Sequence, residues 1–169
     1  MDTIDLKNPT LYINRELSLL EFNRRVIEQA KDENLPLLER LRFLCIASTN
    51  LDEFFEIRVA GLKQQVKYGS TQTGPDNLSP TEVLTRVSET AHQFVEEQYS
   101  VWNDLIIPAM AKDNIRLLRR SQWKSQTSRW IHRYFKDEVL PVLSPIGLDP
   151  AHPFPKVQNK NLYFIISLD

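Results

Sequence analysis

The sequence predicts a mainly α fold: an amino-terminal antiparallel helical bundle with one long helix, followed by the truncated start of an α+β unit. Three observations point there. Apolar residues recur at intervals of three and four through most of the first 110 positions, the pattern of a helix with one buried face. Two Ser-x-x-Glu capping signals, at Ser18 and Ser79, introduce such stretches. After Asp113 the texture changes to short apolar runs, and four of the ten prolines crowd between Ser144 and Pro155. The expected division is 1–110 for the bundle and 111–169 for the incomplete second unit.

The first helix is predicted to begin at Ser18, whose hydroxyl can cap the third helical amide while Glu21 reaches back, with Leu17 and Phe22 as a hydrophobic staple. Its apolar face reads Leu19, Phe22, Val26 and Ala30, with Leu20 and Ile27 beside them. Asn34 and Pro36 mark a break and restart, and Leu37, Leu41, Leu44 and Cys45 carry a second helix to about Ala47. Ser48-Thr49-Asn50-Leu51-Asp52-Glu53 then reads as a new helix start, with Asn50 or Thr49 as cap and the acids at the positive end of the dipole. Leu51, Phe55, Val59, Leu62 and Val66 continue that third helix to about Tyr68.

Gly69 to Leu78, containing Gly74-Pro75-Asp76-Asn77, reads as a mobile loop. Ser79-Pro80-Thr81-Glu82 is a complete start signal. Beyond it Leu84, Val87, Ala91, Phe94, Gln98, Val101 and Leu105 form a coiled-coil-like seam. Unbroken to Ala111, that helix would be about 48 Å long, with Pro108 placed to kink or end it. Ile115, Leu117 and Leu118 suggest a short strand closed by Arg119 and Arg120. Trp130, Ile131, Tyr134, Phe135 and Val139 recur at helical spacing up to Pro141, and Leu162 to Leu168 reads as a buried strand.

Charge and composition remove several functional classes. Lys plus Arg number 21 against 22 Asp plus Glu, so no bulk field draws the chain to nucleic acid or anionic lipid. The single cysteine, Cys45, closes no intrachain disulfide and builds no thiolate cage, which suits a reducing cytoplasmic compartment. The longest apolar run, Leu105 to Ala111, falls far short of the roughly 18 residues a membrane span needs, and the polar amino terminus is no secretory signal. Gly61, Gly69, Gly74 and Gly147 stand apart, so neither a Walker loop nor a dinucleotide fingerprint is present.

Asn50 is the candidate binding residue. Its carboxamide carries donors and an acceptor, so it can read the edge of a nucleobase, whereas a purely structural capping role is the competing use. Arg24, Arg25, Arg40, Arg42, Arg58 and Lys63 lie on the same helices and could meet phosphate or form a solvated charged face. His92, His132 and His152 are scattered without metal-ligand spacing or a neighbouring nucleophile. No residue is expected to be catalytic or to ligate a metal. The tryptophans Trp102, Trp123 and Trp130 are expected to fill the core or an interface.

Tyr12-Ile13-Asn14-Arg15-Glu16-Leu17-Ser18-Leu19-Leu20-Glu21-Phe22-Asn23-Arg24-Arg25-Val26, Pro36-Leu37-Leu38-Glu39-Arg40-Leu41-Arg42-Phe43-Leu44, Ser48-Thr49-Asn50-Leu51-Asp52-Glu53-Phe54-Phe55 and Arg58-Val59-Ala60-Gly61-Leu62-Lys63 closely resemble the start of bacterial polyphosphate kinase. Asp149-Pro150-Ala151-His152-Pro153-Phe154-Pro155 resembles that family's entry into its α+β head domain. Leu19 departs from the tryptophan usual in the family's Leu-Ser-Trp-Leu motif.

The resemblance implies a phosphotransferase that moves the γ-phosphate of ATP reversibly onto polyphosphate, with Mg2+, through a phosphohistidine in catalytic domains absent from this chain. ATP is then the substrate, and the ligands of Mg2+ are expected in those absent domains. On the same ground Asn50, in Asn50-Leu51-Asp52, helps hold the ATP base. Expected partners are ATP, polyphosphate, the remaining domains and further copies in a homo-oligomer, with no nucleic acid; peripheral membrane association stays open. This piece alone is expected to be inactive. A free-standing helical interaction module, resting on the seam and charged faces, is the alternative.

Overall fold

A computed structural model of the chain describes residues 5–158 and 160–167. They fall into two compact units, Met1–Leu117 and Leu118–Asp169. In the first, helix α1 (Arg15–Lys31) packs against both α2 (Leu37–Glu53) and α4 (Pro80–Ser100). Between them α2 passes through a π-helical turn, Phe54–Val59, into α3 (Ala60–Lys67), which also lies on α4. The long helix proceeds from α4 through a second π-helical turn, Val101–Ile106, into α5 (Ile107–Lys112). The helical bundle expected from the periodicity is therefore present, with Phe94, Leu20, Ile27, Ile106 and Val87 as its most deeply buried large side chains.

Local chemistry explains where the boundaries depart from expectation. Ser18 does not cap α1: Asn14, in extended backbone, accepts from the amides of Glu16 and Leu17 at 3.1 Å each. Asn14 also donates through Nδ2 to Asp76 Oδ2 at 2.7 Å, so the cap is itself anchored to the loop before α4. Nor does α2 stop at Ala47 and restart at Asn50. Thr49 spends its hydroxyl on the carbonyl of Cys45 at 3.1 Å, one turn back within the helix, and Asn50 turns sideways to α1. Neither side chain is left to cap an amide, and the helix runs on.

The Ser79 signal holds in full. Glu82 N donates to Ser79 Oγ at 3.3 Å, and Ser79 N donates to Glu82 Oε2 at 2.8 Å. Pro108 neither ends nor breaks the long helix, because it sits in the first turn of α5 after the wider π turn, where a missing amide costs little. Gly69, with φ of +69°, ends α3 in the left-handed conformation that glycine adopts without a Cβ clash.

Both π turns shift the apolar stripe by one position. The expected inward residues Phe55 and Leu105 are exposed, whereas Phe54 and Ile106 are buried. The buried steps Phe54 to Val59 and Val101 to Ile106 each span five residues, the pitch of an i to i+5 turn rather than an α turn.

The second unit contains α6 (Ser125–Tyr134), extended by a π turn Phe135–Val139 and a 3-10 turn Leu140–Val142 that includes Pro141. Trp130 and Tyr134 stack at 5.4 Å between ring centroids. The strands expected at Ile115–Leu118 and in 162–168 are not present among the described residues; both segments are irregular and exposed, and Leu168 lies outside those residues. An apolar run becomes a strand only when a neighbour completes its ladder, and neither segment has one here.

Candidate functional site

The buried face of α1 reads Leu20, Asn23, Ile27 and Ala30: it keeps Ala30 and the flanking Leu20 and Ile27 of the expected face and is turned one position away from Leu19, Phe22 and Val26. This rotation has two consequences. Leu19 and Phe22 are turned out of the core, 38% and 52% exposed, and Asn23 is turned in, 4% exposed. Opposite them on α2 and the first π turn stand Asn50, Glu53, Phe54, Ile57 and Arg58. Between the two walls lies an open cleft of about 290 Å³.

Its apolar sides come from Leu19, Phe22, Phe54 and Ile57, and its polar floor from Asn23 and Asn50. Asn23 Nδ2 donates to the carbonyl of Ala47 at 2.8 Å, and Asn50 Nδ2 donates to Asn23 Oδ1 at 3.1 Å. One N–H and the Oδ1 of Asn50 remain for a ligand, since each carboxamide offers two donors and an acceptor. The guanidinium of Arg25 covers the Phe22 ring at 5.6 Å from its centroid, holding that exposed aromatic in place.

Among the candidate phosphate contacts, Arg58 lines the cleft. Arg40 does not: it is 8% exposed and donates Nε to the carbonyl of Ala30 at 2.9 Å, closing the carboxyl end of α1. Arg24 is committed to Glu21 at 2.9 Å and to Glu97 at 3.2 Å. Arg42 pairs with Glu39 at 3.6 Å, and Lys63 points to solvent. Of the histidines, His92 bonds the carbonyl of Ser88 and His152 pairs with Asp149 at 3.3 Å; neither they nor His132 line the cleft. Among the described residues no three His, Cys, Asp or Glu side chains gather to hold a metal ion, and no helix is long and apolar enough to cross a membrane.

Asn23 is the site residue that apolar counting passes over. The available signal was its place: an amide at the centre of the 20-23-27-30 stripe, where a polar side chain must find a partner.

Residues 12–118 match the family model of the polyphosphate kinase N-terminal domain, and residues 126–169 match that of the polyphosphate kinase middle domain. The chain belongs to the polyphosphate kinase family. Over 164 residues it is 55% identical to a polyphosphate kinase of Pseudomonas putida, covering 97% of this chain and 23% of the relative. It is 52% identical over 164 residues to one of Pseudomonas aeruginosa, with 97% and 24% covered. The crystal structure of polyphosphate kinase from Porphyromonas gingivalis superimposes with a TM-score of 0.73 at 29% identity, over 86% of this chain and 20% of that one. The chain thus spans a fifth to a quarter of the length of these polyphosphate kinases, with residues 12–118 matching the N-terminal domain and residues 126–169 the middle domain.

Proposed function

We propose that this chain serves an ATP:polyphosphate phosphotransferase as the part that holds the adenine of ATP, with Asn50 as the reading residue. The observation that carries this is the unspent half of the Asn50 carboxamide at the floor of an apolar-walled cleft. A volume of about 290 Å³ sits at the low end of the roughly 300–1,000 Å³ typical of small-molecule sites. It suits a base rather than a whole nucleotide. The apolar side chains of Phe22, Phe54 and Ile57 can pack against a purine while the amide fixes its edge.

Arg58, on the same wall as Asn50, adds a positive charge for the ribose-phosphate side of the nucleotide. The phosphoryl group passes to a histidine nitrogen as ADP leaves, and then to the terminal oxygen of the polymer; residues beyond this segment perform both steps. Mg2+, which the family resemblance implies, would be held by residues outside this segment and would supply charge neutralisation at the phosphates. The family resemblance supports the rest of the reading, a cytoplasmic homo-oligomer acting on ATP and polyphosphate.

The test is ATP affinity in a full-length kinase carrying these residues. Asn50→Ala and Asn50→Asp should each weaken ATP binding by roughly tenfold, as loss of one or two hydrogen bonds to a ligand does. Polyphosphate affinity should stay unchanged. Unaltered ATP affinity in Asn50→Ala, with only a lower melting temperature, would make Asn50 a link between helices and nothing more.

A further inference from the structure

The geometry points to Asn23 as a positioning residue that locks the carboxamide of Asn50 in one orientation and thereby makes the cleft select a 6-aminopurine over a 6-oxopurine. The inference rests on the reading of Asn50 as the base contact.

Its logic starts from a backbone atom. The carbonyl of Ala47 can only accept, so the side chain of Asn23 must present its NH2 there, at 2.8 Å. Its Oδ1 is then turned the other way, and only a donor satisfies it. Asn50 therefore presents its own NH2 to Asn23, at 3.1 Å, and its Oδ1 is left as the acceptor of the pair that serves the cleft.

Turning Asn50 over would set its Oδ1 against the Oδ1 of Asn23, two acceptors with no proton between them. Turning Asn23 over to relieve this would set its Oδ1 against the Ala47 carbonyl. Asn23 is 4% exposed, so water does not repair either mismatch.

A locked Oδ1 beside one remaining N–H matches adenine, whose exocyclic amino group donates and whose neighbouring ring nitrogen accepts. Hypoxanthine has the same outline but carries a carbonyl oxygen at that position, which meets Oδ1 as a second acceptor. A bidentate amide–adenine pairing discriminates between bases on the order of 5- to 150-fold. An amide free to rotate would accept both bases by turning over.

Three enzymes decide the matter, each as full-length kinase and each measured for ATP and inosine triphosphate affinity. The unaltered enzyme should prefer ATP by a factor in that range. Asn23→Leu removes the acceptor that holds Asn50, and the ratio should fall toward one, ATP losing and inosine triphosphate gaining. Asn23→Asp keeps an acceptor toward Asn50, so the ratio should survive although stability falls.

Equal loss of both nucleotides in Asn23→Leu, with the ratio unchanged, would reduce Asn23 to a structural residue and overturn the inference. Equal binding of the two nucleotides by the unaltered enzyme overturns it without any variant, should Asn23→Leu fail to fold. Asn50→Ala separates the two levels: if it leaves ATP affinity intact, the base contact itself is wrong, whereas a loss there beside an unmoved ratio in Asn23→Leu condemns only the positioning role.

Discussion

Lys31, in the last turn of α1, donates Nζ to Glu97 of α4 at 2.5 Å, and the same carboxylate stands 3.2 Å from Arg24 Nε two turns earlier. Burial works to lower the Lys31 pKa, but the bonds to Glu28 and Glu97 and their negative charge outweigh it and raise the value above that of free lysine. A raised folded-state value means stability that is fully present below the unfolded pKa of about 10.4 and lost as pH rises through the folded one.

Glu97→Gln should accordingly cost about 1 kcal/mol at neutral pH, a partly exposed pair being worth no more. Urea unfolding at pH 7 and again above pH 11 checks it. The difference from the unaltered chain should shrink at the higher pH.

Glu82 behaves in the opposite sense. Its bonds from the Ser79 hydroxyl and the Ser79 amide hold its carboxyl below the usual glutamate range. The capping box therefore stabilises α4 above the unfolded pKa of about 4.3, and that contribution is lost as pH falls through the lowered folded value. Glu82→Gln should lower the melting temperature at pH 7, and the difference should vanish as the pH falls through the lowered folded-state value, as followed by circular dichroism from neutral to acid.

The π turn in the long helix makes a prediction that an unbroken heptad reading reverses. Ile106 is fully buried and Leu105 is 39% exposed. Ile106→Ala should destabilise the bundle by about 2–5 kcal/mol, and Leu105→Ala by well under half of that. Denaturant midpoints of the two variants, taken with the m-value, give the comparison.

The helices of the bundle were legible because their apolar spacing is strong and because Ser79-x-x-Glu82 has no competitor nearby. Four physical circumstances hid the rest. Asn14 outcompetes Ser18 as cap because Asp76, 62 residues further on, anchors it, and such a partner is invisible to local pattern. A π turn inserts an extra residue without any local composition that announces it, so α-helical spacing points Phe55 and Leu105 inward where Phe54 and Ile106 are the buried residues.

At Asn50 the residue was readable but its geometry was not. Asn50-Leu51-Asp52 looks like a helix start, yet the asparagine lies within a continuous turn and bonds across to Asn23. The apolar runs at Ile115–Leu118 and in 162–167 misled for a different reason: β-propensity describes fit to a neighbour, and a segment without one stays irregular.

The central claim is that the cleft between α1 and the first π turn receives the base of ATP. Photolabelling full-length kinase with an azido-adenine analogue of ATP, followed by peptide mapping, tests it most directly. The label should fall on the peptides containing Leu19 to Asn23 and Asn50 to Arg58, and excess ATP should suppress it while excess polyphosphate should not. Labelling confined to other parts of the enzyme, with these two peptides unmodified, would contradict it.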